Sequence, residues 1–473
     1  MVSRIGLVGL GVMGANLALN IAEQGFPVAV YNRTFAQTES FMAGAGDLAR
    51  RLTPARTYPE LAAALGRPRA IILMVPAGDP VDQVIGELLP LLEQGDMIID
   101  AGNANFHDTR RREAALRAKG FAFIGMGVSG GEEGARHGPS IMVGGPAESY
   151  PAIRDVVEAI SAKYRGAPCV AHLGPDGAGH FVKTVHNGIE YGDMQMIAEV
   201  WGLLRDGMEA RAADAAEMFE KWNSGRLKSF LVEITGEILS TRDPKTGRPV
   251  VDVILDRAGQ KGTGRWTVIE ALQLGQSAST IEAAVGARSW SAAKAARQTG
   301  AALFAGPETG PQTRLDLPGE ALENALLAAK IIAYSQGFSL LAAASEHYDW
   351  ALDMAVIAEI WRAGCIIRSA MLDDMAAAAR AGLPDGMLIF APGFARILGP
   401  AIHDLRKVVA AAAGAGLPVP AFSAALAYFD TMRQARGTTD LIQAQRDFFG
   451  AHGFERVDGG AGQHGPWGSG VAA

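Results

Sequence analysis

The first third of the chain alternates short apolar runs with longer segments in which apolar residues recur at helical spacing. The run Arg4–Leu10 predicts a buried strand, and the residues behind it predict a helix through Ala22. A second strand is predicted at Val28–Tyr31. Further strands are predicted at 70–75, 97–100, 121–125 and 140–144. This alternation predicts an α/β domain over residues 1–178, built as a doubly wound parallel sheet.

Beyond this domain the strand pattern gives way to long segments rich in Ala, Leu, Met and Glu. They predict a large all-helical domain at 179–433. The spacing Trp-x-x-Gly occurs at Trp222–Gly225 and again at Trp361–Gly364, each time before an apolar stretch, which indicates an internal duplication. Residues 434–473 are predicted to form a C-terminal tail, and its glycine-rich end, Gly459–Ala473, is predicted to be loose.

Composition narrows the class of protein. The chain has 473 residues, 49% of them apolar and 20% charged, as in soluble globular proteins of two or three domains. A net charge of −7 argues against a general nucleic-acid or membrane partner, because no basic surplus exists to neutralise phosphates. The apolar stretch behind Arg4 could pass for a signal peptide, but its glycines have a better explanation. Two cysteines, Cys169 and Cys365, favour a reducing cytoplasm.

The glycines Gly9, Gly11 and Gly14 stand between the first strand and the first helix, where the dinucleotide fingerprint G-x-G-x-x-G needs them. In that fingerprint the first glycine makes the tight turn, the second admits the pyrophosphate, and the third allows helix and strand to pack closely. Amide groups at the start of the helix then meet the phosphates. The placement predicts a Rossmann-like domain that binds a nicotinamide dinucleotide.

The end of the second strand indicates which dinucleotide is bound. NAD sites usually carry a carboxylate there, whereas this chain has Asn32, Arg33 and Thr34. A guanidinium pairs with a 2′-phosphate that a carboxylate would repel, so Arg33 favours NADP. The alternative is that Arg33 is an ordinary surface residue after a strand.

The segment from Lys183 to Tyr191 carries the candidate chemistry. As a helix it places Lys183, His186, Asn187, Glu190 and Tyr191 on one face. Seven residues put the amine and the carboxyl ~10 Å apart at ~1.5 Å rise per residue, so the pair could bracket a small substrate, one removing a proton and the other supplying one. A solvated polar face is the alternative. The apolar pattern that continues behind this stripe favours a place in a core.

Two further glycine turns are candidates for binding anions, and the one at Ser129 is equally compatible with a plain loop. Ser129, Gly130 and Gly131 follow a predicted strand at the sheet edge where ligands collect. Lys261 lies in a glycine loop whose spacing does not fit a P-loop. No His, Asp and Glu cluster has metal-ligand spacing, and no nucleophile elbow occurs. The residues therefore predict a metal-free, NADP-dependent oxidoreductase.

Together these motifs closely resemble 6-phosphogluconate dehydrogenase, the decarboxylating enzyme family of the pentose phosphate pathway. The resemblance covers almost the whole chain. It rests on the segments Gly9–Gly14, Gly127–Gly131, Gly177–Lys183, His186–Asp193, Ala258–Gly264 and Gln445–His452. It implies that 6-phosphogluconate is oxidised at C3 by NADP, with Lys183 as general base. The resulting 3-keto acid would lose carbon dioxide, and Glu190 would protonate C1 of the enediol to give ribulose 5-phosphate.

The resemblance also assigns binding residues. Those implied for the cofactor are Gly9, Leu10, Gly11, Val12, Met13, Gly14, Asn32, Arg33, Thr34, Val75, Pro76, Ala77 and Asn103. Those implied for the substrate are Asn103, Ser129, Gly130, Gly131, His186, Asn187, Tyr191, Lys261, Arg288, Arg446 and His452. Because the last two would come from the second subunit's tail, the resemblance implies an obligatory homodimer. The chain departs from the family pattern at Pro76, where many members have lysine, at Ala104 and Asn105, and at Val143.

Two alternatives differ in the residues they require. A β-hydroxyacid dehydrogenase for a non-phosphorylated acid shares the glycine fingerprint and the lysine, but such chains are usually much shorter and lack the Lys261 loop, Arg288 and the tail arginine. A catalytically idle NADP-binding protein would be expected to lack Lys183 or Glu190, and both are present.

Overall fold

A computed structural model describes residues 2–304 and 314–467. One eight-stranded sheet dominates its first part, in the order β10-β7-β6-β5-β4-β1-β2-β3. The strands are β1 (Ile5–Val8), β2 (Val28–Tyr31), β3 (Leu52–Ala55), β4 (Ala70–Leu73), β5 (Met97–Asp100), β6 (Ala122–Val128), β7 (Ile141–Gly144) and β10 (Val170–Gly174), with β8 (Lys163–Tyr164) and β9 (Ala167–Pro168) in a separate hairpin. The Rossmann-like prediction is confirmed.

The sheet differs from the predicted one in two respects. Strands β3 and β10 were not predicted; both lie at sheet edges, where Pro54 in β3 is tolerated because an edge strand need not donate every hydrogen bond. Strands β7 and β10 are parallel to each other and run antiparallel to the other six strands, so the predicted parallel sheet is mixed at this edge. The described residues contain no named strand after β10, as predicted for a helical second part.

Helices cover the sheet and then form the rest of the chain. The first group is α1 (Val12–Glu23), α2 (Phe35–Gly44), α3 (Tyr58–Ala63), α4 (Asp79–Leu88), α5 (Phe106–Arg117), α6 (Gly131–His137) and α7 (Arg154–Ile160). The second is α8 (Ala178–Gly202), α9 (Ala212–Asn223), α10 (Phe230–Ser240), α11 (Thr263–Gln273), α12 (Ser279–Ala292), α13 (Lys294–Leu303), α14 (Gly319–His347), α15 (Met354–Ile360), α16 (Met371–Ala381), α17 (Pro392–Gly414), α18 (Pro420–Met432) and α19 (Thr439–Gly450).

The long helices α8 and α14 pack together at the centre of the helical region. A buried ion pair joins them, with Lys330 Nζ 2.8 Å from Asp193 Oδ2. By length and composition α14 resembles a membrane span, but 89% of its most apolar window is buried inside the protein. The apolar composition of α14 is therefore explained by its packing in the protein core.

The two Trp-x-x-Gly segments occupy corresponding places. Trp222 and Trp361 are both buried, each near the end of a short helix that follows one of the two long ones. The residues after them pair with each other, Ser229 bridging Ser369 in antiparallel fashion. This correspondence supports the duplication, which stays a prediction.

Two compact units divide the chain, Met1–Ala425 and Leu426–Ala473. The sheet and most helices belong to the first unit, so the predicted boundary between residues 178 and 179 stays a prediction. In the second unit, Phe454 and Gln463 exchange backbone hydrogen bonds of 2.8 and 3.0 Å. The glycine-rich end was predicted to be loose, and this is wrong for Gly459–Trp467, because the carboxylate of Asp447 binds this segment; residues 468–473 lie outside the described ranges.

Candidate active site

The glycine loop after β1 has a different constraint at each glycine. Gly9 has φ +100°, and a Cβ there would lie 2.5 Å from the Met74 carbonyl oxygen. A Cβ on Gly14 would lie 1.9 Å from the Gly9 carbonyl oxygen, so α1 packs against the turn only because Gly14 has no side chain. A Cβ on Gly11 would meet open space, with no described residue beyond its chain neighbours within 4 Å, and α1 begins at the next residue. The open backbone at Gly11 suits a phosphate at the helix N-terminus.

Asn32 ties the end of β2 to this loop. Its Oδ1 accepts from the Leu10 amide at 3.0 Å, and its Nδ2 donates to Gln37 Oε1 at 2.9 Å. Gln37 in turn donates to the Leu10 carbonyl at 2.6 Å. Arg33 and Thr34, the next two residues, are exposed at the same edge of the sheet. Their side chains are therefore accessible to a ligand that occupies the glycine loop.

Two other loops at this edge carry the remaining predicted cofactor residues. Val75, Pro76 and Ala77 follow β4, and Asn103 follows β5. Since β4, β1, β2 and β5 are mutually parallel, all four loops lie at the carboxyl ends of the strands. The Asn105 side chain, one of the departures from the family pattern, accepts from the His107 amide at 2.9 Å and caps α5.

Arg112 on α5 was missed by the sequence analysis, although it fastens these loops. It is 2% exposed; its Nη2 donates to the Gly78 carbonyl at 2.9 Å and to Asp82 at 2.6 Å. Its Nη1 lies 3.6 Å from Asp100 Oδ2, at the end of β5. An arginine within a polar helical segment gives no sequence signal of such a role, because its partners are distant in sequence.

Lys183 is the centre of a buried polar cluster on α8. It is 6% exposed, and its Nζ donates to Asn187 Oδ1 at 2.7 Å and to Ser129 Oγ at 3.2 Å. His186 completes the cluster, with Nδ1 3.5 Å from Lys183 Nζ and Nε2 3.3 Å from Ser129 Oγ. Gly127 lets β6 approach α8, since a Cβ there would lie 2.5 Å from Lys183 Cβ. The structure thus brings together the predicted stripe and the predicted Ser129 turn.

Burial shifts the pKa values of Lys183, His186 and Glu190 in directions that favour acid–base chemistry. Desolvation lowers the pKa of Lys183 from its ordinary 10.5, although Glu190 and Cys365 oppose the shift. Desolvation and then the Lys183 charge lower the pKa of His186 well below its usual range, so the imidazole is neutral. Desolvation raises the pKa of Glu190 from 4.5, against the effect of Lys183 and Arg288. A lysine that loses its proton more easily is suited to act as a base, and a carboxyl that keeps its proton longer is suited to act as an acid.

The other end of the stripe borders two cationic residues, the half-buried Arg288 and the exposed Lys261. The Arg288 guanidinium stacks on the Tyr191 ring at 3.5 Å, and its Nη1 donates to the Gly259 carbonyl at 3.4 Å. That carbonyl belongs to the glycine loop that carries Lys261, whose side chain is exposed. Gly264 packs against the same ring, because a Cβ there would lie 2.6 Å from it. The predicted Lys261 loop, Arg288 and Tyr191 are therefore neighbours.

Family comparisons match both halves of the chain. A family model described as the NAD binding domain of 6-phosphogluconate dehydrogenase matches residues 4–174, and another described as the 6-phosphogluconate dehydrogenase C-terminal domain matches 179–467. The decarboxylating 6-phosphogluconate dehydrogenase of Synechococcus elongatus is 48% identical over 471 residues, which cover 98% of this chain and 99% of that protein. The chain belongs to the 6-phosphogluconate dehydrogenase family.

Two further relatives add to what the first one's name states. The Bacillus subtilis protein, 48% identical over 96% of this chain and 97% of its own, is named an NADP(+)-dependent, decarboxylating 6-phosphogluconate dehydrogenase. The solved Plasmodium falciparum 6-phosphogluconate dehydrogenase is 41% identical, with a TM-score of 0.94 over 98% of this chain and 100% of that one. Its structures are described as apo, with its cofactor NADP+ and with its substrate 6-phosphogluconate.

The Ser129 turn in this family member abuts the second Trp-x-x-Gly segment. Gly130 has φ +101°, and a Cβ there would lie 2.5 Å from the Gly364 carbonyl oxygen, which also accepts from the Ser140 amide at 2.7 Å. The next residue, Cys365, is fully buried. It interacts electrostatically with Lys183 and opposes the lowering of that lysine's pKa. The Trp361–Gly364 segment therefore supports the Ser129 turn, a role that its similarity to Trp222–Gly225 did not reveal.

Arg446 and His452, the predicted tail residues, belong to the second unit. Both are exposed, and Arg446 donates to Gln443 at 2.7 Å instead of joining a salt bridge in the described part of the chain.

Among the described residues, no group of three or more His, Cys, Asp or Glu side chains could hold a metal ion.

Proposed function

We propose that this protein catalyses the NADP-dependent oxidative decarboxylation of 6-phospho-D-gluconate to D-ribulose 5-phosphate and carbon dioxide. The observation that carries the proposal is the Lys183 cluster: a buried lysine with a lowered pKa, seven residues before a carboxyl with a raised pKa on the same helix. Family membership and the names of the relatives give the substrate class and the cofactor.

NADP fits the sheet edge. The open backbone at Gly11 receives the pyrophosphate, and the exposed Arg33 guanidinium pairs with the 2′-phosphate. The remaining residues of the cofactor site are Gly9, Leu10, Val12, Met13, Gly14, Asn32, Thr34, Val75, Pro76, Ala77 and Asn103. Bound NADP supplies the hydride acceptor for C3 of the substrate.

Lys183 acts first as the general base. Its neutral amine takes the proton of the C3 hydroxyl as hydride leaves C3, and a 3-keto acid results. The ammonium then donates to the keto oxygen while the C1 carboxylate leaves as carbon dioxide, because the electrons of the broken bond flow into the carbonyl as it becomes an enolate. Asn187 and Ser129 hold the amine in place through its hydrogen bonds.

Glu190 completes the reaction as the general acid. Its raised pKa favours the protonated carboxyl, which can give a proton to C1 of the enediol, the carbon that was C2 of 6-phosphogluconate. Lys183 takes the proton of the enediol hydroxyl on the former C3 at the same time, which leaves the ketone of ribulose 5-phosphate. A neutral His186 beside Lys183 adds no competing charge. The shifts of Lys183 and Glu190 are thus in the directions that their steps require.

Substrate recognition divides between two groups of residues. The carboxylate and sugar hydroxyls fall to Asn103, Ser129, Gly130, Gly131, His186 and Asn187. The phosphate and the distal sugar fall to Tyr191, Lys261 and Arg288, completed by Arg446 and His452 of the second subunit in an obligatory homodimer. The two buried, free cysteines accord with a reducing compartment, and a cytoplasmic location is part of the proposal.

Purified protein incubated with 6-phosphogluconate and either NADP or NAD tests the proposal. We expect NADP reduction with one carbon dioxide released per NADPH and a much slower reaction with NAD. Gluconate, the matched substrate without phosphate, should react poorly because the cationic residues have nothing to bind. Arg33→Asp should weaken NADP binding by roughly 10- to 100-fold, the usual value of a charge-assisted pair. Absence of nucleotide reduction by a folded protein that binds NADP would refute the proposed function.

A further inference from the structure

The carboxylate of Asp447 organises the second unit. It is 3% exposed although it lies on α19, whose neighbouring residues are mostly exposed. Oδ1 accepts from the Gly453 amide at 2.9 Å and from His464 Nδ1 at 2.6 Å. Oδ2 accepts from the Gly465 amide at 2.8 Å and from Trp467 Nε1 at 2.6 Å. One side chain therefore joins the helix to two later segments.

The hydrogen-bond donors around Asp447 all favour its ionised form. Led by the Gly465 amide, they hold the pKa of the Asp447 carboxyl well below its usual range. The group is therefore ionised at any pH at which the protein works, and charge strengthens each of its hydrogen bonds. Protonation of Asp447 therefore does not break the linkage near neutral pH.

The segments that Asp447 joins carry Arg446 and His452. Arg446 precedes Asp447 on the helix, so anchoring Asp447 sets the rotation of α19 and the direction in which the arginine points. His452 lies between the left-handed Ala451, at φ +48°, and Gly453, whose amide binds Asp447. The turn that presents His452 is thus held to the same anchor.

We propose that Asp447 is a positioning residue for substrate binding, which fixes Arg446 and His452 in one arrangement so that the tail can complete the partner subunit's site. This inference rests on the proposed function, in which those two residues act across the dimer. Asp447 itself faces inward to its four donors and does not touch the substrate. Its effect passes through the tail.

Asp447→Asn tests the idea with little change in volume. The amide replaces one acceptor oxygen by an NH2 group that faces hydrogen-bond donors, so the turn and the helix lose their common anchor. We expect the KM for 6-phosphogluconate to rise by roughly 10- to 100-fold, as for lost charge-assisted hydrogen bonds. The KM for NADP and the dimer should be unchanged. Asp458→Asn is the matched control, because Asp458 is an exposed tail carboxylate that pairs with Arg456, and it should behave as wild type.

A hybrid dimer separates positioning across the interface from a general folding defect. We would co-express differently tagged Asp447→Asn and Lys183→Ala chains and isolate the mixed dimer. One of its sites combines an intact Lys183 with an intact tail, so the KM should return to the wild-type value with half of the sites active. A KM that stays high in the hybrid would show that Asp447 acts within its own subunit and would overturn the inference.

Arg446→Ala in the same hybrid assay separates a failure of the shared-site model from a failure of the role assigned to Asp447. If neither tail variant is complemented by Lys183→Ala, the shared-site part of the proposed function is wrong. If Arg446→Ala is complemented and Asp447→Asn is not, only the present inference fails. Should Asp447→Asn not fold, Trp467→Phe removes a single donor and keeps a ring; it should raise the KM by about threefold at unchanged kcat. An unchanged KM in that folded variant would equally overturn the inference.

Discussion

Lys183 and Lys261 are the same residue type in opposite environments. Lys183 is buried on α8 and hydrogen-bonded to Ser129 and Asn187, whereas Lys261 is exposed in a glycine loop. Burial makes an amine a better base at neutral pH by disfavouring its ammonium form, while an exposed ammonium suits the electrostatic binding of a phosphate. The contrast teaches that location suits each lysine to its proposed role, Lys183 to proton transfer in the buried cluster and Lys261 to anion binding at the exposed rim.

Replacing the buried lysine should have the largest effect on kcat. We expect Lys183→Met to lower kcat by about 10³-fold or more, because the general base that takes the proton of the C3 hydroxyl is lost. NADP affinity, measured by fluorescence titration, should be unchanged. Lys261→Met is the matched control and should keep kcat within about threefold, as expected for a residue that contributes binding only. Equal losses of kcat in the two variants would erase the distinction between the two lysines.

Glu190→Gln should have the next largest effect. The amide keeps the shape of the side chain but has no acidic proton for C1, so we expect kcat to fall by about 10²-fold. Steady-state rates of NADPH formation would measure the loss. A glutamine variant as fast as wild type would remove Glu190 from the acid role.

Substitutions at the rim should change binding and leave the chemistry intact. Lys261→Met and Arg288→Met should each raise the KM for 6-phosphogluconate by roughly 10- to 100-fold, the cost of one lost charged contact to phosphate. The Arg288 variant also loses the stacking on Tyr191. Initial rates over a wide substrate range separate KM from kcat. A fall in kcat with unchanged KM would place the rim residues in the chemical step instead.

The smallest expected effect is that of pH on the reaction rate. We expect the rate to fall by about tenfold per pH unit on either side of an optimum. Lys183 must be neutral, and since burial lowers its pKa from 10.5, the rate should fall only once the pH drops below that lowered value. Glu190 must be protonated, and since burial raises its pKa from 4.5, the rate should fall as the pH rises above that raised value. Glu190→Gln should abolish the alkaline limb alone. A profile that retains this limb would assign it to another group.

The glycine fingerprint and the α8 stripe could be predicted because each is local: a fixed spacing dictates a turn or a helix face. Pairing between distant segments could not be predicted in this way. The antiparallel direction of β7 depends on its neighbour in the sheet, and the buried role of Arg112 depends on Asp82 and Gly78, about 30 residues earlier in the chain.

The tail shows the same limit more sharply. A glycine-rich composition usually indicates flexibility, yet one carboxylate, Asp447, binds Gly465 and Trp467 within that segment. Composition cannot reveal a single buried anchor. The support that Gly364 gives to the Ser129 turn is likewise a contact between distant residues, which neither local pattern encodes.

A single-turnover experiment with excess enzyme tests most directly whether one helix supplies both the base and the acid. NADPH, carbon dioxide and ribulose 5-phosphate would be followed in wild type, Lys183→Met and Glu190→Gln. We expect all three products together in wild type and none in Lys183→Met. In Glu190→Gln, NADPH and carbon dioxide should appear before ribulose 5-phosphate, because only the last proton transfer is impaired. NADPH formation by Lys183→Met at the wild-type rate would contradict the account.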